Sequence, residues 1–183
     1  MCLEEYAYIL DYLPQGLVEE RRIHRKPIAY AVGEKEFKLF ELIPKEGAGL
    51  LTGDRVYIGK DLERRTKIAQ VKRRISYDKL THAAQSELPY VLLEIVRRQE
   101  KRFVEFFNNA QPINIRFHTL ELLPGIGKKS LKAILEARKQ GRFTSFKDIE
   151  TRAGVHHPDK LIAARIELEL SDPHQKYRLF VAK

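Results

Sequence analysis

The sequence has a single cysteine, Cys2, which excludes an internal disulfide and suits a reducing, cytoplasmic compartment. It has no run of about 18 apolar residues, so no membrane-spanning helix is expected. The first residues lack a cationic stretch followed by an apolar one, so no secretory leader is expected either. Acids are fewer than bases: 25 Asp and Glu stand against 34 Lys and Arg, a formal net charge of +9. That balance favours polyanionic partners. Asparagine is scarce while 32% of residues are charged, a composition that fits a heat-adapted source.

Patterns that carry catalysis are also missing. No serine sits in a glycine-flanked elbow, and the histidines are scattered. His156, His157, Asp159 and His174 share one region but follow no zinc spacing, and read as surface groups. Clustered carboxylates of the kind that hold metal ions in nucleases are absent around the glycine-rich turn described below. No catalytic residue, metal or cofactor is therefore expected.

What is present suffices for one or two small domains with a real core, since 43% of the 183 residues are hydrophobic. Residues 1–75 read as β-rich. Strands are expected over Tyr6–Leu13, Pro27–Val32, Phe37–Ile43, Arg55–Gly59 and Lys67–Val71, with a hairpin at Gly33–Glu36. In the third of these, apolar residues fall on both faces. Five short strands joined by glycine turns suggest a small barrel. From Ser76 the period becomes helical. A short helix fits Leu80–Leu88, and Pro89 is expected to start another, because proline suits a first turn and breaks an interior. Leu92, Ile95, Val96, Phe103, Phe106 and Phe107 form an apolar stripe for packing, ending near Asn108-Asn109.

The most telling stretch is Leu122-Leu123-Pro124-Gly125-Ile126-Gly127-Lys128-Lys129. The preceding Thr119–Leu123 reads as a short helix with Thr119 as N-cap, ended by Pro124. Gly125 and Gly127 permit positive φ and a close approach to the backbone. Leu131, Ile134, Leu135 and Arg138 mark the next helix, which Gly141 can close. A helix start carries unpaired N–H groups and partial positive charge, so it attracts anions. Lys128 and Lys129 add charge there. The matching anion is a nucleic-acid phosphate, contacted without base reading. The same hairpin could instead only pack, or dock on a protein. Further on, Ser145 with Asp148 reads as a capping box, Arg152–Val155 as a second turn and Pro158 as the start of a last helix. Lys176–Val181 reads as a strand returning to the first sheet.

The octet resembles the helix-hairpin-helix motif. Together with Asp11–Pro14, Gly53–Gly59, Val71–Ile75, Leu120–Lys129 and Lys176–Val181, it makes the whole chain similar to an archaeal family of unknown function. That family joins an OB-like or S1-like barrel to a helix-hairpin-helix region. The resemblance implies an α+β, two-part fold: a barrel over 1–75 plus 175–183, connecting helices over 76–117 and a helix-hairpin-helix domain over 118–172. It implies nucleic-acid binding, RNA more than DNA, with Gly125, Ile126 and Gly127 at the backbone and Lys128 and Lys129 as charge partners. A monovalent cation on the turn carbonyls is a further possibility the resemblance leaves open.

A second basic surface comes from Arg64, Arg65, Lys67, Lys72, Arg73 and Arg74, a run without acids. Such charge can line the single-strand groove of a barrel, with Tyr57 and Tyr77 as stacking residues, or it can be a solvated strand end. Two other functions stay open. One is a protein-interaction adaptor using the hairpin. The other is a repair enzyme of glycosylase type with Asp148 as its acid, although Phe146–Ile149 reads as a helix start and the helical part is short for a flipped-base pocket.

Overall fold

The structure is a computed structural model that describes residues 3–17 and 26–183; Cys2 lies outside them. The chain divides into two compact units, residues 1–91 with 169–183, and residues 92–168.

The first unit holds β1 (Tyr6–Leu13), β2 (Ile28–Gly33), β3 (Leu39–Pro44), β4 (Arg55–Tyr57) and β5 (Ile68–Ile75). They form one antiparallel sheet in the order β4-β1-β2-β3-β5, curled into a half-barrel. Bulges drive the curl by adding local twist. Register skips one residue of β1, Leu10, and two of β5, Ala69 and Lys72. The buried cluster of this unit combines small Ala7, Ala29 and Ala31 with Ile9, Leu42, Val56, Ile58 and Ile68. Both faces of β3 are largely apolar as expected: Leu39 and Leu42 are buried on opposite faces, and the one acid, Glu41, is buried with them. Strand β5 is an edge strand whose exposed positions include Lys72, Arg73 and Arg74. Charge there also keeps a free edge from pairing with other chains.

The β2–β3 turn is built around Glu4. Its carboxylate accepts hydrogen bonds from the backbone N–H groups of Lys35 (2.9 Å) and Glu36 (2.6 Å) and is buried in doing so. The side chain lies over Gly33 so closely that a Cβ there would collide with it.

Two expectations are corrected here. The segment 176–181 forms no strand. The N–H groups of Phe180 and Val181 donate to Glu169 Oε1 (3.1 and 3.2 Å), which removes them from any ladder. The tail is held to its unit by other means: Ala182 N–H donates to Glu36 O, and Arg74 donates to the carbonyls of Ala182 and Lys183. Pro89 also starts no helix. It lies inside α1 (His82–Arg98). A proline forfeits one helical hydrogen bond, but Ala84, Leu88, Val91, Leu92, Ile95 and Val96 are buried on both sides of it. That continuous buried face keeps the helix running. The break falls at Gln99 instead, whose N–H is shared between the carbonyls of Ile95 and Val96.

The second unit contains α2 (Glu100–Asn109), a two-stranded ribbon of β6 (Pro112–Asn114) and β7 (Phe117–His118), α3 (Lys128–Lys139), α4 (Phe146–Ala153) and most of α5 (Pro158–Ser171). Its interior includes Phe103, Phe107, Leu120, Ile134, Ile149, Ile162 and Ile166. Ser145 Oγ accepts the Asp148 N–H at 2.9 Å, and Gly154 closes α4 in the left-handed region at φ 68°. Among the described residues no helix is long and apolar enough to cross a membrane.

Candidate nucleic-acid interface

The approach to the hairpin differs from the short helix expected. A 3₁₀ turn spans Thr119–Leu122, and its cap is His118 rather than Thr119. His118 Nδ1 accepts the Leu120 N–H at 3.1 Å, while Glu121 Oε2 accepts the His118 N–H at 2.8 Å. Thr119 turns its hydroxyl to Gln111 O, 2.6 Å away. Burial lowers the His118 pKa, so the ring is neutral. With Nδ1 accepting, the proton sits on Nε2, which is buried without an acceptor among the described residues.

Leu123 and Ile126 then anchor the turn, because both are buried. Ile126 was expected among the contact residues; its side chain is packed inward, leaving only backbone to offer. The Ile126 N–H closes the turn on Leu123 O at 3.1 Å. Gly125 has φ 93°, which a side chain rarely tolerates. Gly127 differs. Its φ is −97°, open to any residue, and a Cβ built on it would meet nothing within 4 Å. It caps α3, and the N–H groups of Lys128, Lys129 and Ser130 have no acceptor among the described residues. Gly127, Lys128 and Lys129 are all exposed. The surface at this helix start is thus open to an anion.

The two lysines are not equivalent. Lys128 Nζ sits 2.8 Å from Glu121 Oε1 and donates to Arg116 O at 2.6 Å. Lys129 has no side-chain partner among the described residues. The lysine pairing holds the Glu121 carboxyl below its usual range, helped by the His118 N–H.

The basic run of the first unit is already engaged in holding the fold. Arg65 donates to Gly59 O (2.5 Å) and Ile58 O (3.1 Å). Arg64 donates to Tyr6 Oη at 2.7 Å and lies 4.3 Å over the Tyr57 ring. Lys72 and Arg73 both pair with the buried Glu41, at 3.2 and 2.6 Å. Arg74 holds the C-terminal carbonyls. Each head group but that of Arg65 is exposed while so bound.

The run is divided among separate partners. Arg65 and Arg74 border a groove of about 830 Å³ with Lys35, Lys38, Lys60, Phe40 and Tyr57, and the acids Glu4, Glu5 and Asp61 line it too. Lysines 35, 38 and 60 and Phe40 were not singled out from sequence. The available signal was Phe40, a large apolar residue beside Lys38 in a strand where Leu39 and Leu42 already fill the buried positions. Phe40 and Val71 also pack on the buried cluster, so the groove opens over the curled sheet's interior. Tyr77 lines a different cavity, with Arg74 and Glu169, and does not join Tyr57. Glycine at position 59 leaves room for the Tyr57 ring folded over it, which a Cβ there would have to displace.

Asp148, the acid of the glycosylase reading, is committed to structure. Its Oδ2 accepts the Thr144 N–H and an Arg152 hydrogen bond, both at 3.0 Å, and these hold its carboxyl below the usual range.

A family described as "Protein of unknown function (DUF655)" matches residues 3–182. The uncharacterised protein MJ0038 of Methanocaldococcus jannaschii is 50% identical over 179 residues, spanning 97% of this chain and 80% of that protein. The crystal structure of Af1531 from Archaeoglobus fulgidus superposes with a TM-score of 0.91 at 48% identity, over 98% of this chain and all of that one.

Proposed function

The chain belongs to the DUF655 family, and we propose that it binds nucleic acid, without catalysing a reaction on it, chiefly through the sugar–phosphate backbone. One observation carries this reading. The start of α3 offers three N–H groups without acceptors among the described residues, behind a glycine that neither backbone conformation nor packing requires. A phosphate oxygen is the ligand that such a start, flanked by the exposed charge of Lys129, suits best. The turn as a whole is what a helix-hairpin-helix would present.

The half-barrel supports a second contact of the same kind of ligand. Its curled five-stranded antiparallel sheet offers a concave face of the kind that small barrels use to take single strands. The groove sets three lysines and two arginines against three acids and adds Phe40 and Tyr57, so cation and ring are both at hand for unpaired bases. RNA is the expected polymer, as the family resemblance implies.

Salt-dependent binding is the test. Titrating fluorescent duplex and single-stranded RNA and DNA across salt should give a steep fall in affinity, since each neutralised duplex-DNA phosphate adds roughly 0.9 to the log–log slope. A flat profile rejects the reading and favours the adaptor.

A further inference from the structure

Ile115 is the most exposed apolar side chain of the described residues, at 104% of its reference area. It occupies the tip of the β6–β7 ribbon, where Asn114 pairs with Phe117 and leaves a two-residue turn, Ile115-Arg116. Neither Ile115 nor Arg116 takes a positive φ, so the turn accommodates a β-branched residue without backbone strain. The turn is firmly set. Asn114 Oδ1 accepts the Arg116 N–H at 2.9 Å, and Lys128 Nζ donates to Arg116 O at 2.6 Å. The first residue of α3 therefore braces the very turn that projects Ile115. The strand that follows runs directly into the buried His118 cap of the hairpin.

We propose that Ile115 is a wedge that enters between base pairs when the α3 start grips the adjacent backbone. This inference rests on the nucleic-acid reading above. The chemistry around the tip selects the ligand. The neighbours Asn114 and Arg116 are exposed and polar, and the brace is a lysine beside the α3 anion site. A protein-docking hot spot is set among other apolar contacts, whereas here one isolated apolar side chain stands in a cationic frame. Nucleic acid supplies both complements at once: phosphates for the frame and stacked base faces for the tip. Proteins that bend duplexes insert isoleucine, leucine or phenylalanine in this way, unstacking one step while cations hold the flanking phosphates. The ligand class is thus a paired segment that can open at one step.

The experiment uses the full chain and short blunt duplexes, one RNA and one DNA, carrying 2-aminopurine at several adenines, whose fluorescence rises on unstacking. Wild-type protein should raise the fluorescence of at least one duplex at saturation. Ile115→Ser should abolish the rise and weaken binding about tenfold, the lower range for losing a buried isoleucine side chain. Its salt slope should not change, because no charge is removed, and Ile115→Leu should restore the signal. Thermal unfolding of Ile115→Ser should match wild type, since the side chain touches nothing. Salt-dependent binding without a fluorescence rise, or a rise that survives in Ile115→Ser, overturns the wedge alone. Absence of salt-dependent duplex binding by wild type overturns the wedge, and its absence on single strands as well overturns the underlying reading with it.

Discussion

Lys128 Nζ lies 2.8 Å from Glu121 Oε1, so one of the two hairpin lysines is already paired within the turn it decorates. Glu121 in turn holds the His118 N–H with its other oxygen. Lys128 therefore acts first as a brace, while Lys129 has no side-chain partner among the described residues.

This inequality separates two substitutions that look alike in sequence. Lys129→Ala should lower the salt slope on duplex DNA by about 0.9, one phosphate contact, and leave stability unchanged. Lys128→Ala should change the slope less and loosen the ribbon. Glu121→Gln should release Lys128 and raise affinity at low salt. Fluorescence anisotropy across a salt series measures all three; equal slopes for the two lysine variants would show that the pairing does not matter.

Acid stability follows from two carboxylates held below their ordinary range, Glu121 by Lys128 and Asp148 by the Thr144 N–H. A depressed folded pKa means the folded state releases its proton more readily than the unfolded one. Their stabilisation is full above the unfolded values and is lost as pH falls through the folded ones. Denaturant midpoints should drop on acidification below about pH 4.5, the ordinary glutamate value. Asp148→Asn should show a shallower drop. Glu4 has the opposite sign, since burial raises its pKa; its contribution falls as pH rises through that value.

Glycines sort by what surrounds them. Gly33→Ala should cost roughly 1–3 kcal/mol by forcing the Glu4 side chain aside. Gly59→Ala should do likewise through Tyr57. Chemical denaturation gives both values, and losses below about 0.5 kcal/mol would mean the neighbours yield freely.

In the groove, Phe40→Ala should weaken single-strand binding by about 1–3 kcal/mol if one base stacks there, with little change on duplex. Arg73→Ala is a poorer probe, because it also strips a partner from the buried Glu41. Identical losses on both ligands would assign Phe40 to packing alone.

Much of the fold was legible because its signals are local. The first four strands of the sheet lie close to where alternation and glycine turns put them, the fifth runs past the expected Val71 to Ile75, and Pro158 starts the last helix. Failures arose where long-range contacts decided. Pro89 sits inside a helix because buried residues on both sides hold it there. The tail from Lys176 is no strand because Glu169, a residue of α5, takes its amides. In the site, the exposed Gly127 and lysines were readable from the octet, while the commitment of Lys128 to Glu121 and the groove around Phe40 depend on packing that sequence spacing does not encode.

The most direct test replaces Gly127, where a side chain finds open space and an ordinary φ. Gly127→Val should fold with a loss of at most about 1 kcal/mol, the cost of a poor N-cap. Its affinity for RNA or DNA duplex should nonetheless fall at least about tenfold, because the new methyl groups stand where a phosphate must reach the α3 amides. Duplex affinity measured beside thermal unfolding decides it. A folded Gly127→Val protein that binds duplex as tightly as wild type, with the same salt slope, would contradict the account.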